Sequence, residues 1–226
     1  MKRNVTLEEI SDGRLYGSND MVKADCHGCA GCSECCRGMG NSIILDPYDV
    51  YRLTTGLGRE LTELIGSAVE LNVVDGVILP NLRMVGEKEA CFFLSGEGRC
   101  SIHALRPGIC RLFPLGRYYE NGSFRYFLQT GECREKNRSK VKVSKWIDTP
   151  DLARNQQFVT TWHYLLNQVE DLVNGSEDDT FRKNLNLFLL NTFYFTPYDT
   201  EQNSESDFYN QFEERLERFR QIVPQE

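Results

Sequence analysis

The stretch Cys26-His27-Gly28-Cys29-Ala30-Gly31-Cys32-Ser33-Glu34-Cys35-Cys36 decides how the chain is read. Cys26, Cys29, Cys32 and Cys35 stand three apart, and Cys36 follows directly. Two-residue gaps let one turn aim successive sulfurs at a single point, and the loop's own backbone N–H groups can then offset thiolate charge. Gly28, Gly31, Gly38 and Gly40 allow the close backbone approach that this requires. Five cysteines in eleven residues of a polar loop do not fill a core. The loop reads as the staple of a metal-held fold.

Disulfides are the competing use of cysteine. Three features oppose them. The first residues lack the apolar segment of a secretory signal, the nine cysteines are odd in number, and 226 residues suffice for a core without staples. Thiols in a reducing cytoplasm are the expectation. Cys26, Cys29, Cys32 and Cys36 match the bacterial ferredoxin run C-x2-C-x2-C-x3-C, although Arg37 replaces the usual proline and the run is not repeated. Zinc is the other claimant, because eight cysteines would fill two four-coordinate sites.

Further along stand Cys91, Cys100, Cys110 and Cys133, with Cys100-Ser-Ile-His-Ala-Leu-Arg-Pro-Gly-Ile-Cys110-Arg-Leu-Phe-Pro114 at the centre. With Cys29-x2-Cys32-x2-Cys35-Cys36, this pattern resembles the CxxCxxCC zinc- or iron-chelating domain family, the YkgJ-like cysteine-cluster proteins. The resemblance covers about residues 26–135. His103 stands where many relatives have tyrosine, and Cys26 is extra to the core motif. The resemblance implies a metal site built from Cys29, Cys32, Cys35, Cys36, Cys91, Cys100, Cys110 and Cys133. It also implies iron–sulfur character, as attributed to the similar domain of flagellin N-methylases. A [4Fe-4S] cluster is favoured, with zinc as the alternative, and the activity implied is redox or methyl-transfer chemistry.

Arg106 and Arg111 flank Cys110 and are the candidate cofactor-binding residues. Their guanidinium groups would offset a thiolate-rich cluster or hold an anionic substrate; the structural alternative is bracing of the loop through backbone carbonyls. Imidazole binds zinc and iron, but His27 and His103 are expected to be hydrogen-bonded or exposed, given eight thiolates. Those eight already fill two sites, so Cys26 is expected to be a spare thiol or to sit behind the ligands.

The fold class expected is α+β: a metal-stapled loop core with short strands and a β-hairpin, covered by C-terminal helices. Residues 1–25 read as a polar lead-in, 26–149 as the cysteine-cluster domain and 150–226 as a helical region packed on it. Asp46-Pro47 predicts a helix start, ended by Gly56 and Gly58. Leu61, Leu64, Ile65, Ala68 and Val69 predict a second helix over Arg59 to about Leu71. Residues 77–79 and 82–85 read as extended. Tyr118, Tyr119, Phe124, Tyr126, Phe127 and Leu128 around Asn121-Gly122 predict a hairpin. Helical spacing recurs at Phe158, Trp162, Leu165, Leu166, Val169 and Leu172, over Phe181–Phe195, and at Phe208, Phe212, Leu216 and Phe219.

A net charge of −7 opposes sequence-independent nucleic-acid binding, which needs many Lys and Arg contacts to phosphate. No apolar run approaches the roughly 20 residues of a membrane span. Phosphate loops, the dinucleotide fingerprint, the nucleophile elbow and the C-x3-C-x2-C radical motif are missing. The functions left open are an iron–sulfur protein, a zinc-bound interaction module and an iron or zinc handling protein. Each would meet a protein or small-molecule partner that the sequence does not identify.

Overall fold

A computed structural model describes residues 6–26, 32–200 and 205–223, without the side chains of 205–207. The first part of the chain runs through α1 (Leu7–Ile10), β1 (Ser11–Tyr16), β2 (Met21–Asp25), a 3-10 turn (Glu34–Cys36), α2 (Pro47–Leu57) and α3 (Leu61–Leu64). Next come β3 (Val69–Val74), β4 (Val77–Leu82), β5 (Met84–Val85), β6 (Ala90–Cys91), a second 3-10 turn (His103–Leu105) and α4 (Gly108–Leu112). The hairpin strands β7 (Leu115–Glu120) and β8 (Ser123–Gln129) follow, then β9 (Ser139–Lys142) and α5 (Val143–Ile147). The chain ends in α6 (Leu152–Gly175), α7 (Asp179–Leu190), a π-helical turn (Asn191–Phe195) and α8 (Glu205–Ile222). The class is α+β, as expected.

The chain forms two compact units, each discontinuous in sequence. Met1–Ile43 joins Leu82–Thr149, and Ile44–Asn81 joins Pro150–Glu226. The linear stretches 26–149 and 150–226 therefore describe the sequence rather than the units. No helix among the described residues is long and apolar enough to cross a membrane.

The first unit is organised by the hairpin. Asn121 and Gly122 both have positive φ, at 51° and 72°, the turn whose twist suits two strands joined by two residues. The register runs from Glu120↔Ser123 to Leu115↔Leu128. It sets Gly116 opposite Phe127, and the Phe127 ring lies over the glycine, so a Cβ at 116 would land among the ring carbons. β1 pairs with the far edge of β8, giving the order β1-β8-β7, and β2 pairs with β9 in a separate ladder. Val22, Ala24, Leu112, Leu115, Tyr126, Leu128, Val143 and Ile147 pack between these elements. The polar stretch read as a lead-in thus supplies two sheet strands. Its alternation is weak because only Val22 and Ala24 of β2 face the core.

In the second unit Asp46 caps α2, accepting from the backbone N–H of Asp49 at 2.8 Å, and Gly58 closes the helix in the left-handed region at φ 62°. Gly56 lies within the helix, not at its end. The long helix predicted over 59–71 is corrected to one turn, Leu61–Leu64. Ile65 is already extended, Gly66 at φ 82° turns the chain, and Val69–Val74, with valine at three of its six positions, continues as a strand. β3 and β4 are joined through Asp75-Gly76, again with both φ positive. The aromatic periodicity after residue 150 resolves into α6, α7 and α8. Phe158, Trp162, Phe193, Phe208 and Phe212 are buried there, with the Phe158 and Phe212 rings 4.7 Å apart.

Candidate metal centre

All eight described cysteines belong to the first unit, and none is in a disulfide. Cys29 and His27 lie outside the described residues. Short irregular segments carry the sulfurs, and backbone hydrogen bonds set their order. The 3-10 turn bearing Cys35 and Cys36 is closed by the Cys36 N–H on the Ser33 carbonyl at 3.0 Å. Arg37 then bridges to Ala90, and the Gly38 N–H donates to the Glu89 carbonyl at 2.9 Å, laying Cys36 beside β6 and Cys91. After Cys91 the chain doubles back through the turn at Gly96 and Gly98. Leu94 bridges Cys100, and the Ser101 N–H donates to the Phe93 carbonyl at 2.8 Å. Beyond the His103–Leu105 turn, Cys110 sits on α4.

Neighbouring thiols bear on one another's ionisation. Cys36 senses Cys35, Cys110, Cys91 and Cys100; Cys91 senses Cys100 and Cys35. Cys133 senses Cys26 and Cys32, with Arg138 opposing them. A hydrogen bond from Cys35 holds the Cys36 thiol below its ordinary range and pushes Cys35 far above it, aided by burial of Cys35. Burial raises Cys91, Cys100 and Cys133. In each of these three, a backbone N–H two residues further on opposes that rise: Phe93 for Cys91, Ile102 for Cys100 and Glu135 for Cys133. A hydrogen bond to the ionised form favours thiolate, and thiolate is the form that binds metal. The loops thus carry built-in N–H support for sulfur anions.

Arginines add positive charge. Arg106 lowers both Cys35 and Cys100, while its Nε donates to the His103 carbonyl at 3.2 Å, so it braces the loop and faces the thiols together. Arg111 is buried at 6% exposure on α4, beside Cys110 in sequence. His103 is exposed, but partial desolvation of its ring and the positive charges of Arg106 and Arg99 hold its pKa below the ordinary value. Two residues that the sequence reading passed over complete the surroundings: Arg138, and Arg134, whose guanidinium pairs with Glu34 at 3.1 Å. The charge-rich segment 134–138 directly after Cys133 was the signal for both.

The donors gathered here are sulfur, supported by N–H groups and guanidinium charge, which fits soft thiolate-binding metals such as zinc or iron in clusters. The thiols are grouped without being closed to bonding distance. Among the described residues, no three His, Cys, Asp or Glu side chains surround a single point. Two clefts in the second unit, one along Arg154, Tyr209 and Arg220 and one along Tyr51, Arg59 and Tyr198, contain no cysteine or histidine.

The family profile of the CxxCxxCC zinc- or iron-chelating domain matches residues 28–147. The chain belongs to the CxxCxxCC family. The match begins after Cys26 and ends within α5, so the other eight cysteines are CxxCxxCC-domain residues. No curated protein and no solved structure matches the chain. Chelation of zinc or iron is thus the family-level description of this CxxCxxCC domain.

Proposed function

We propose that this chain is an iron–sulfur protein that passes electrons to, or supports a redox reaction on, a protein or small-molecule partner in the cytoplasm. The observation that carries the reading is the all-cysteine donor set of the matched domain, with ferredoxin-like spacing at its start and backbone N–H groups that favour the ionised forms of Cys91, Cys100 and Cys133. Hydrogen bonds to cluster sulfurs are among the features that set a cluster's reduction potential. A bound iron–sulfur cluster supplies one-electron chemistry. Cys36, Cys91, Cys100 and Cys110 are the natural holders of one centre. Arg106 and Arg111 moderate its negative charge, and the four cysteines are all partly exposed.

The spacing of Cys26, Cys29, Cys32 and Cys36, which is that of the bacterial ferredoxin run, supports iron–sulfur over zinc. Dithionite titration of the anaerobically purified protein tests the reading. Reversible bleaching of visible absorption, with a low-temperature EPR signal in the reduced state, is expected. A protein whose spectrum does not respond to reductant contradicts it and favours a zinc-bound interaction module.

A further inference from the structure

We propose that the outward face of the β2–β9 ladder is a docking surface for a protein partner that presents an acidic patch. The inference names the partner class for the electron-transfer reading above, and rests on that reading only for the partner's role as electron carrier.

Charge is divided unevenly along the chain. The first unit, Met1–Ile43 with Leu82–Thr149, holds 18 Lys and Arg against 13 Asp and Glu, a net +5. The second unit holds 8 against 20, a net −12. Much of the excess in the first unit collects after Cys133. Arg134, Lys136, Arg138, Lys140 and Lys142 occupy every second position there, and Lys145 follows. An extended chain turns alternate side chains to one face. Val141 packs against the core, so Lys140 and Lys142 face away from it. β2 adds to the same face, because burial of Val22 and Ala24 turns Met21 and Lys23 outward. Met21 stands opposite Lys142, and the register shift sets Lys23 and Ala24 together against Lys140.

These cations are available to a partner. Among the described residues, no carboxylate forms an ion pair with Lys23, Lys140, Lys142 or Lys145. The nearby carboxylates are engaged elsewhere. Asp25 accepts from the Ser139 hydroxyl at 3.0 Å, Glu34 pairs with Arg134 at 3.1 Å, and Glu135 accepts from the Asn137 N–H at 2.8 Å. Met21, 53% exposed, sets an apolar side chain among the lysines, and methionine is enriched at protein interfaces. A single lysine is enough to guard a four-residue edge strand against unwanted pairing, and this face carries three.

Composition selects the partner. Arginine's planar fork suits phosphate, whereas this face is built from lysine, a hydrated point charge suited to steering an encounter. The net charge of −7 also opposes a long polyanion such as nucleic acid. An acidic patch on a protein needs only these few cations. Cys26 directly follows β2, and Arg134 directly follows Cys133. A carrier steered to this face therefore arrives where the chain enters and leaves its cysteine-bearing loops.

The test uses the full-length, anaerobically purified protein and fluorescently labelled flavodoxin, an acidic electron carrier, as the probe. Binding is read by anisotropy. The wild type is expected to bind, with Kd rising at least about 10-fold between roughly 20 and 200 mM salt, as contact between exposed charges requires. Lys140→Glu with Lys142→Glu should raise Kd about 10-fold or more at the lower salt, and Lys140→Gln with Lys142→Gln should give a smaller rise. Arg182→Glu with Lys183→Glu makes the same change of charge in the second unit and should leave Kd within about 2-fold of wild type. Absence of wild-type binding at low salt would overturn the inference, as would equal effects of the two glutamate pairs. Displacement of the probe by oligouridylate at lower concentration than by unlabelled flavodoxin would make the face a nucleic-acid surface and overturn it too. So would a salt-sensitive dimer in sedimentation that the Lys140 and Lys142 changes abolish, because the occupant would then be a second copy. Binding as expected, with no bleaching of the protein's visible absorption by reduced flavodoxin, would leave the docking surface standing and overturn the electron-transfer reading.

Discussion

The indole Nε1 of Trp146 donates to the carbonyls of Leu112, at 3.3 Å, and Phe113, at 3.2 Å. These are carbonyls at the end of α4, the five-residue helix that carries Cys110 and Arg111. So short a helix cannot hold its own shape, because nucleation alone is unfavourable. α5, through Trp146, does that for it.

Trp146→Phe keeps most of the ring and removes the donor. It should destabilise the protein by about 1–2 kcal/mol, the cost of leaving part-buried acceptors unmet. Urea melts of the metal-loaded protein would measure it. An unchanged midpoint would mean that the ring, and not its N–H, holds α4.

Gly116 gives the sharper steric test. Gly116→Ala places a methyl where the Phe127 ring lies, so either the ring or the hairpin must shift. Overpacking of this kind costs about 1–3 kcal/mol. Gly96→Ala, at a position with nothing within 4 Å of the added carbon, serves as the control and should fall within about 0.5 kcal/mol of wild type. Equal effects of the two substitutions would refute the packing argument.

How much of this was legible beforehand differs element by element, for physical reasons. The hairpin was readable because Asn121-Gly122 states the backbone conformation it needs and the flanking aromatics state the strands. α2 was readable from its cap, and α6 and α8 from their aromatic spacing. The second helix was misread because Leu61, Leu64 and Ala68 satisfy helical spacing whether or not Gly66 interrupts them. The pairing of β2 with β9 joins residues more than a hundred positions apart, which no local pattern encodes. The cysteine motif made the family and its eight domain cysteines readable. The backbone bridges that set Cys36 beside Cys91 and Cys100 beside Leu94 depend on loop conformation, which no local pattern encodes.

Removing the metal should unfold the first unit selectively. Structural thiolate metals contribute on the order of 10 kcal/mol, and the described cysteines sit in turns, at strand ends and on one short helix rather than in long elements. The chelated protein should melt lower and be cut by protease within 32–43 and 82–138. Residues 44–81, which belong with the C-terminal helices, should be spared. Early cutting within 44–81 would contradict that assignment, and identical melting of the two forms would contradict a structural metal.

A pH effect independent of metal should come from His163 on α6. Burial holds its pKa below the ordinary value of 6.5. Above 6.5 the ring is neutral in both folded and unfolded chains, and the contribution to stability is complete. Between 6.5 and the lowered folded value the unfolded chain takes up the proton first, so stability falls as pH falls. His163→Gln should shrink the loss in melting temperature between neutral pH and pH about 5, measured on the metal-stripped protein so that acid release of metal does not intrude. A loss of the same size in both proteins would remove His163 from the account.

The central claim is that the gathered thiols hold iron in clusters. Quantifying iron, acid-labile sulfide and zinc in the same anaerobically purified sample tests it most directly. Iron and sulfide in equal amounts, in a brown protein with little zinc, is the predicted result. A colourless protein with stoichiometric zinc and no sulfide would contradict it.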